Sequence, residues 1–87
     1  MARTPIQEVK NAKQRKLAEN FRVNFSSVRK ELGLRQVDVA GRCSLSVKYI
    51  ADIEQGKSGN PTLETICEAA KALGIKNPIQ LLIANKG

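Results

Sequence analysis

The spacing of apolar residues predicts a chain made of short helices. In the stretch F-R-V-N-F-S-S-V-R-K-E-L (21–32), one helical face carries the residues Phe21, Phe25, Val28 and Leu32, at positions i, i+4, i+7 and i+11. Gly33 follows as a residue that can end the helix in the left-handed conformation. No segment alternates between apolar and polar residues with period two, so the pattern favours an all-α fold.

Four further helices are predicted after Gly33. A short helix from about residue 36 to 43 would turn inward Val39, Ala40 and Cys43. The next helix, about 47–55, has Ser46 as N-cap and Gly56 as its stop. A longer helix after Thr62 would bury a stripe made of Leu63, Ile66, Cys67, Ala70 and Leu73. The last begins with Asn77 as N-cap and Pro78 in its first turn.

Residues 1–20 differ from the rest of the chain. They are polar and hold five Lys or Arg and two Glu. We expect this segment to be a basic N-terminal arm or an extra helix, and residues 21–87 to form the domain proper. Both forms of the N-terminal segment remain open at this point.

The helix predicted at 47–55 has more outward residues than packing needs. Ile50 and Ile53 share a buried face, whereas Val47, Lys48, Tyr49 and Asp52 lie off it. About three residues around Ser44 join it to the helix before. That spacing is typical of a helix-turn-helix, in which the second helix enters the DNA major groove.

The charge of the chain points to an acidic partner. Its 87 residues carry a net charge of +7, and the pI is near 9.9. Nucleic acid is the first candidate, with a merely solvated basic surface as the alternative. No 18-residue apolar run and no apolar segment of a secretory signal are present, so we expect no membrane contact and a cytoplasmic location.

The sequence offers little for catalysis or metal binding. Histidine is absent, and the two cysteines, Cys43 and Cys67, fit neither a CxxC pair nor a zinc site. We expect both to be buried free thiols, with a redox switch as the alternative. No cofactor, no metal and no enzymatic activity are predicted, because neither paired carboxylates in a pocket nor a complete phosphate-binding Gly motif occurs.

Several residues between Phe25 and Leu82 form a pattern that is specific for one family when taken together, although each part alone is a weak signal. They are Arg29, Gly33, Gln36, Val39-Ala40, Ile50, Ile53-Glu54, Gly56, N-P-T-L-E-T-I (60–66) and A-K-A-L-G-I (70–75). In these positions the sequence resembles the lambda-repressor-like, Cro/C1-type (Xre family) DNA-binding domains, over about two thirds of the chain. The resemblance implies a compact five-helix domain that binds double-stranded DNA as a homodimer and regulates transcription.

The resemblance also implies roles for residues at the DNA surface. Val47 and Lys48 match the front of the recognition helix and would read base edges, with Tyr49 and Asp52 as further candidates. Alternatively, Val47 packs inward and Lys48 is solvated. Gln36 would bind a phosphate and brace the recognition helix. The other phosphate candidates are Arg35, Ser46, Lys57, Ser58 and Asn60.

Two further sets of residues have implied structural roles. Arg29 and Glu54 would form a largely buried ion pair between the first helix and the end of the recognition helix. Ile79, Leu82 and Ile83 would form the dimer interface, or would pack onto the domain's own core instead.

Two departures from the family concern the helix-turn-helix itself. Ser44 stands where the family often has Gly, and Arg35 where Ser or Thr often caps the first motif helix. Within the class, a phage-type repressor, a restriction–modification controller and an antitoxin that neutralises a toxin protein remain alternatives.

Overall fold

The computed structural model describes the backbone of residues 5–84 and the side chains of residues 12–84. In that part of the chain it contains four α-helices and no strand, which confirms the all-α class. The helices are α1 (Pro5–Glu31), α2 (Gln36–Ala40), α3 (Val47–Glu54) and α4 (Leu63–Leu73). The segment predicted as a fifth α-helix is a single 3₁₀ helix, Pro78–Leu82.

Helix α1 is longer than the sequence predicts. The described part of the N-terminal segment, residues 5–20, continues into residues 21–31 without a break. At about 1.5 Å per residue, 27 residues span roughly 40 Å, which accounts for the longest dimension of the molecule, 44 Å. Residues 1–4 of the segment predicted as an arm or an extra helix lie outside the described residues.

The core is aliphatic apart from two phenylalanines of α1. Phe21 and Phe25 are fully buried, with ring centroids 5.9 Å apart. Val39 of α2, Ile50 and Ile53 of α3, and Leu81 pack with them. Leu32 was predicted on this face but is 51 % exposed, because α1 ends at Glu31 and the chain turns away at Gly33, whose φ is +70°.

The buried face of α4 differs from the predicted stripe. Ile66, Ala70 and Leu73 are buried as expected, but Leu63 and Cys67 are exposed. The remaining buried positions are Thr65, Ala69 and Ala72. Small residues on this side let α4 lie close to its neighbours, and Leu63, in the first turn, projects beyond them.

The two cysteines have different surroundings. The Cys43 thiol is half-buried and donates to the backbone oxygen of Val39 at 3.3 Å. Cys67 is exposed, so the prediction of two buried thiols is wrong for Cys67.

Candidate nucleic-acid interface

Helix α3 presents one face to solvent and buries the other. Ser46 is its N-cap, and the Ser46 hydroxyl accepts a hydrogen bond from the backbone N–H of Tyr49 at 3.1 Å. Ile50 and Ile53 are buried in the core. Val47 is 41 % exposed and Lys48 is exposed, so both side chains of the first turn are free to meet a ligand.

The C-terminal end of α3 is fixed by Glu54. Its carboxylate lies 2.6 Å from Nε and 2.8 Å from Nη2 of Arg29, so the two side chains form a two-pronged ion pair. Gln36 Nε2 donates to the same carboxylate at 3.3 Å, and Ser26 Oγ at 3.4 Å. Arg29 Nη1 also donates to the backbone oxygen of Leu34 at 2.8 Å. Glu54 therefore connects α1, α2 and α3.

The pKa of Glu54 reflects two opposing effects. Burial of the carboxylate raises its pKa, and the hydrogen bonds and charge of Arg29, helped by Gln36 and Ser26, lower it. Together, these hydrogen bonds and the Arg29 charge outweigh the effect of burial. The pKa of Glu54 therefore lies below its ordinary value, and the carboxylate is charged at neutral pH.

The turn between α2 and α3 is held from outside by Glu68 of α4. The Glu68 carboxylate accepts a hydrogen bond from the backbone N–H of Ser44 at 2.8 Å, and this bond lowers the pKa of Glu68. In residues 5–84 no residue other than glycine has a positive φ. Ser44 therefore fits the turn without the left-handed conformation that a glycine would provide.

Tyr49 faces α4 instead of the exposed face of α3. Its ring is half-buried against the core, and its hydroxyl lies 3.1 Å from Thr65 Oγ1, which in turn lies 3.0 Å from Thr62 Oγ1. The hydroxyl of Tyr49 thus connects α3 to the start of α4. A base contact by Tyr49 stays a prediction.

Asp52 is half-buried one turn after Lys48. Among residues 12–84, no Lys48–Asp52 ion pair occurs within 4 Å. The Asp52 backbone oxygen accepts the N–H of Lys57 at 2.8 Å. The main chain at Asp52 thus fixes the start of the loop after α3.

The first turn of α2 contains two of the expected phosphate ligands. Arg35 is the N-cap residue, and Asp38 accepts from its backbone N–H at 2.8 Å and from its guanidinium at 3.1 Å. These bonds hold the pKa of Asp38 below its ordinary value. The Arg35 side chain is 79 % exposed, whereas Gln36 is half-buried and directed at Glu54.

The loop after α3 offers three polar side chains. Lys57 and Asn60 are exposed and Ser58 is half-buried. Gly56 and Gly59 both have positive φ values, +75° and +73°, which let the loop fold back beside α1. Thus the loop residues, the front of α3 and the start of α2 belong to one continuous stretch of helix-turn-helix and loop.

Two asparagines of α1, which the sequence did not single out, hold the C-terminal segment. Asn24 is buried, and its Nδ2 donates to the backbone oxygens of Leu81 at 3.0 Å and Ile83 at 2.6 Å. Asn20 Nδ2 donates to the backbone oxygen of Leu82 at 2.9 Å. The only local signal for this role in the sequence was that Asn20 and Asn24 are polar residues on an apolar face of α1.

Asn20 and Asn24, here called the asparagine clamp, determine which apolar side chains of the C-terminal segment are free. Leu81 is buried and Leu82 half-buried, whereas Ile79 is 61 % and Ile83 59 % exposed. Of the three residues expected at the dimer interface, Leu82 therefore packs partly onto the domain's own core, whereas Ile79 and Ile83 remain exposed.

In the part of the chain that is described, no group of acidic and cysteine side chains is close enough to hold a metal ion. None of the helices there combines the length and the apolar composition needed to cross a bilayer.

Comparison with known proteins gives one family. A helix-turn-helix family model matches residues 25–76, which is more than half of the chain. The HTH-type transcriptional regulator y4dJ of Sinorhizobium fredii is 41 % identical over 54 residues, which cover 62 % of this chain and 69 % of the relative.

Two further relatives are longer proteins. The HTH-type transcriptional regulator DdrOP3 of Deinococcus deserti is 43 % identical over 60 residues, covering 69 % of this chain and 43 % of the relative. The immunity repressor protein of Bacillus phage phi105 is 46 % identical over 52 residues, covering 60 % of this chain and 35 % of the relative. The chain thus matches less than half of the length of either protein. No solved structure matches the sequence significantly.

Proposed function

The chain belongs to the Cro/C1-type helix-turn-helix family, whose members are DNA-binding transcriptional regulators and not enzymes, and we propose that it binds a palindromic operator as a homodimer. In this proposal α3 enters the major groove of each half-site. The observation that carries it is the division of α3 into a buried face of Ile50 and Ile53 and an exposed first turn with Val47 and Lys48.

The base contacts of the proposal come from the first turn of α3. The methyl groups of Val47 suit a thymine methyl, and the Lys48 ammonium can donate to guanine O6 and N7. Asp52 could accept from cytosine N4, but a carboxylate facing DNA is otherwise repelled by phosphate. Tyr49 acts through its bond to Thr65, which fixes the angle of α3.

Phosphate contacts would position α3 without reading sequence. The N-terminus of α2, with Arg35 and Gln36, and the loop residues Lys57, Ser58 and Asn60 provide donors on either side of α3. Ser46 contributes as the N-cap that fixes the first turn. The hydrogen bond from Gln36 to Glu54 couples the α2 donors to the end of α3.

A homodimer follows from the geometry of operators. Two recognition helices must reach half-sites about 34 Å apart, and a two-fold axis provides this with one interface. We place that interface at Ile79, Leu82 and Ile83, because two isoleucines there are more than half exposed beside the core. Relatives described as transcriptional regulators and as an immunity repressor support regulation of transcription as the outcome.

Selection of bound sequences from a random pool of DNA duplexes tests the proposal. We expect an inverted repeat whose half-site centres are about 10 base pairs apart, or a multiple of that. Enrichment of an unpaired half-site would contradict the homodimer, and no enrichment at low salt would contradict sequence-specific binding.

A further inference from the structure

An open groove of about 330 Å³ lies where the first half of α1 meets the start of α4 and the C-terminal segment. We call it the α1–α4 groove. Ile66 is buried there and Leu82 is half-buried, whereas Leu17 is 46 % exposed and Leu63 is 81 % exposed. Apolar surface gathered in one concave place marks an interaction site, whereas scattered apolar residues do not.

The first half of α1 forms one wall of this groove by extending beyond the core. Residues 12–17 are all exposed, and Phe21 is the first buried side chain in the described part of the helix. Leu17 and Ala18 nevertheless turn toward the groove. The apolar side of this part of α1 is therefore open to a partner.

Positive charges flank the α1 wall of the groove. Lys13 precedes Leu17 by four residues and Arg15 precedes Ala18 by three, so the two cations lie one turn ahead, on either side of the apolar row. Both are exposed, and neither forms an ion pair with any partner in residues 12–84. On the opposite wall, Glu64 is exposed beside Leu63. The net charge along the α1 wall is thus positive.

The chemistry of the groove favours a protein over nucleic acid. Its walls come from α1, the loop residues Asn60 and Pro61, α4 and Leu82, and no residue of α3 lines it. A nucleic-acid backbone is charged at every phosphate and has no apolar surface to lay over Leu17 and Leu63. The basic residues alone would suit either partner, and the aliphatic walls suit only one.

A second copy of the chain is poorly matched to the same groove. Each copy carries a net charge of +7 and the same basic first half of α1, so two copies meeting here would bring like charges together. Of the residues in the proposed dimer interface, only Leu82 lines the groove. An acidic partner would instead be attracted by Lys13 and Arg15.

We propose that the α1–α4 groove binds an acidic amphipathic helix of a partner protein. Such a helix places apolar anchors at positions i, i+4 and i+7 into a hydrophobic groove. Its anchors cover Leu17, Leu63 and Ile66, and carboxylates beside the anchors meet Lys13 and Arg15. The inference goes beyond the proposed function, because it gives the chain a protein-binding surface that the recognition helix does not share.

The test measures binding of synthetic helical peptides to the full chain by fluorescence anisotropy. The acidic peptide carries leucines at i, i+4 and i+7 with Glu beside them; one matched peptide has Lys in place of Glu, and another has the same residues in scrambled order. The acidic peptide should bind with a Kd below about 1 mM. The Lys peptide should bind about 2- to 25-fold more weakly, the range expected for two exposed ion pairs, and the scrambled peptide at least about 5-fold more weakly.

Two variants locate the peptide on the protein. Leu63→Gln should weaken the acidic peptide by at least about 5-fold, whereas Leu32→Gln, at an exposed leucine after α1, should leave its affinity unchanged. The double variant Lys13→Glu with Arg15→Glu should prefer the Lys peptide. Lys30→Glu with Lys76→Glu changes the net charge equally at exposed positions outside the groove and should keep the preference for the acidic peptide.

Several results would overturn the inference. They are a Kd of the acidic peptide above about 1 mM, equal losses in Leu63→Gln and Leu32→Gln, and a preference for the acidic peptide that survives Lys13→Glu with Arg15→Glu. Conversion of a wild-type dimer to a monomer by Leu63→Gln in sedimentation would place a second copy in the groove. A similar loss of binding to a mixed-sequence duplex would place nucleic acid there. The peptide measurements involve no DNA, so their outcome is independent of the proposed function.

Discussion

Replacing Glu54 by alanine should lower the free energy of unfolding by about 3 kcal/mol, because it leaves the Arg29 charge without a partner. The two side chains are only 9 % and 12 % exposed. Removal of one member of such a pair costs roughly 3–5 kcal/mol. We take the lower end because Arg29 would keep its hydrogen bond to the backbone oxygen of Leu34 when Glu54 is removed.

Thermal and urea unfolding followed by circular dichroism measure this loss. For a domain of this size, about 3 kcal/mol corresponds to a fall in Tm of roughly 12–24 °C. Glu31→Ala, which removes an exposed carboxylate from α1, is the control and should stay within about 0.5 kcal/mol of wild type. DNA binding by Glu54→Ala should weaken as a consequence of unfolding, and should recover when the temperature is lowered.

A second variant separates loss of the pair from loss of packing. Arg29→Met combined with Glu54→Leu removes both charges and keeps apolar bulk, so it should regain much of the stability. If Glu54→Ala unfolds within about 0.5 kcal/mol of wild type, the ion pair does not hold α3 to α1 and the reasoning fails.

Four shorter predictions complete the set. Lys48→Ala should lose about 1–3 kcal/mol of binding to the selected operator at an unchanged Tm, whereas equal loss on a mixed-sequence duplex would make Lys48 a phosphate contact. Glu68→Ala should destabilise by about 0.5–1.5 kcal/mol in urea unfolding, since the Ser44 N–H loses its acceptor; no change would mean that water replaces it fully. Ile83→Glu should convert the proposed dimer to a monomer in sedimentation experiments, and a wild type monomeric at high micromolar concentration would refute the proposed interface. Because the folded-state pKa of Glu54 is lowered, its stabilising effect is present above the ordinary value of 4.5 and is lost as pH falls through the folded pKa. The Tm of Glu54→Gln should therefore fall less than that of wild type on acidification from about pH 5 to 3, and equal falls would contradict this.

The part of the fold that sequence predicts best is α3 and its surroundings. Helical spacing alone identified Ile50 and Ile53 as the buried pair and left Val47 and Lys48 outside, as the structure has them. The N-cap Ser46 and the stop near Gly56 are also local features. Local signals are sufficient to predict α3 because the helix is short and has only one apolar face.

Contacts between distant residues were not predictable in the same way. The polar composition of residues 1–20 left open whether they form an arm or an extra helix, whereas residues 5–20 belong to the same unbroken helix α1 as residues 21–31. Asn20 and Asn24 satisfy carbonyl groups that belong to the other end of the chain. The brace from Glu68 to Ser44 likewise joins residues 24 positions apart, and no periodicity in the sequence indicates it.

The error on α4 has a different cause. The predicted stripe contained Ala70 but neither Ala69 nor Ala72, which are buried, and it contained Leu63, which is 81 % exposed. Close approach of helices selects small residues at the contact, so size and hydrophobicity compete in deciding which face turns inward. A prediction of the buried face from hydrophobicity alone therefore gives too little weight to alanine.

The asparagine clamp has a mechanical consequence. It ties α1 to carbonyl groups that lie between 57 and 62 positions further along the chain. The 3₁₀ helix that carries these carbonyl groups also packs on α4. Tension applied to the chain after Ala84 would therefore pass first to α1, through these amides, and to α4, through packing, and only afterwards to the recognition helix α3.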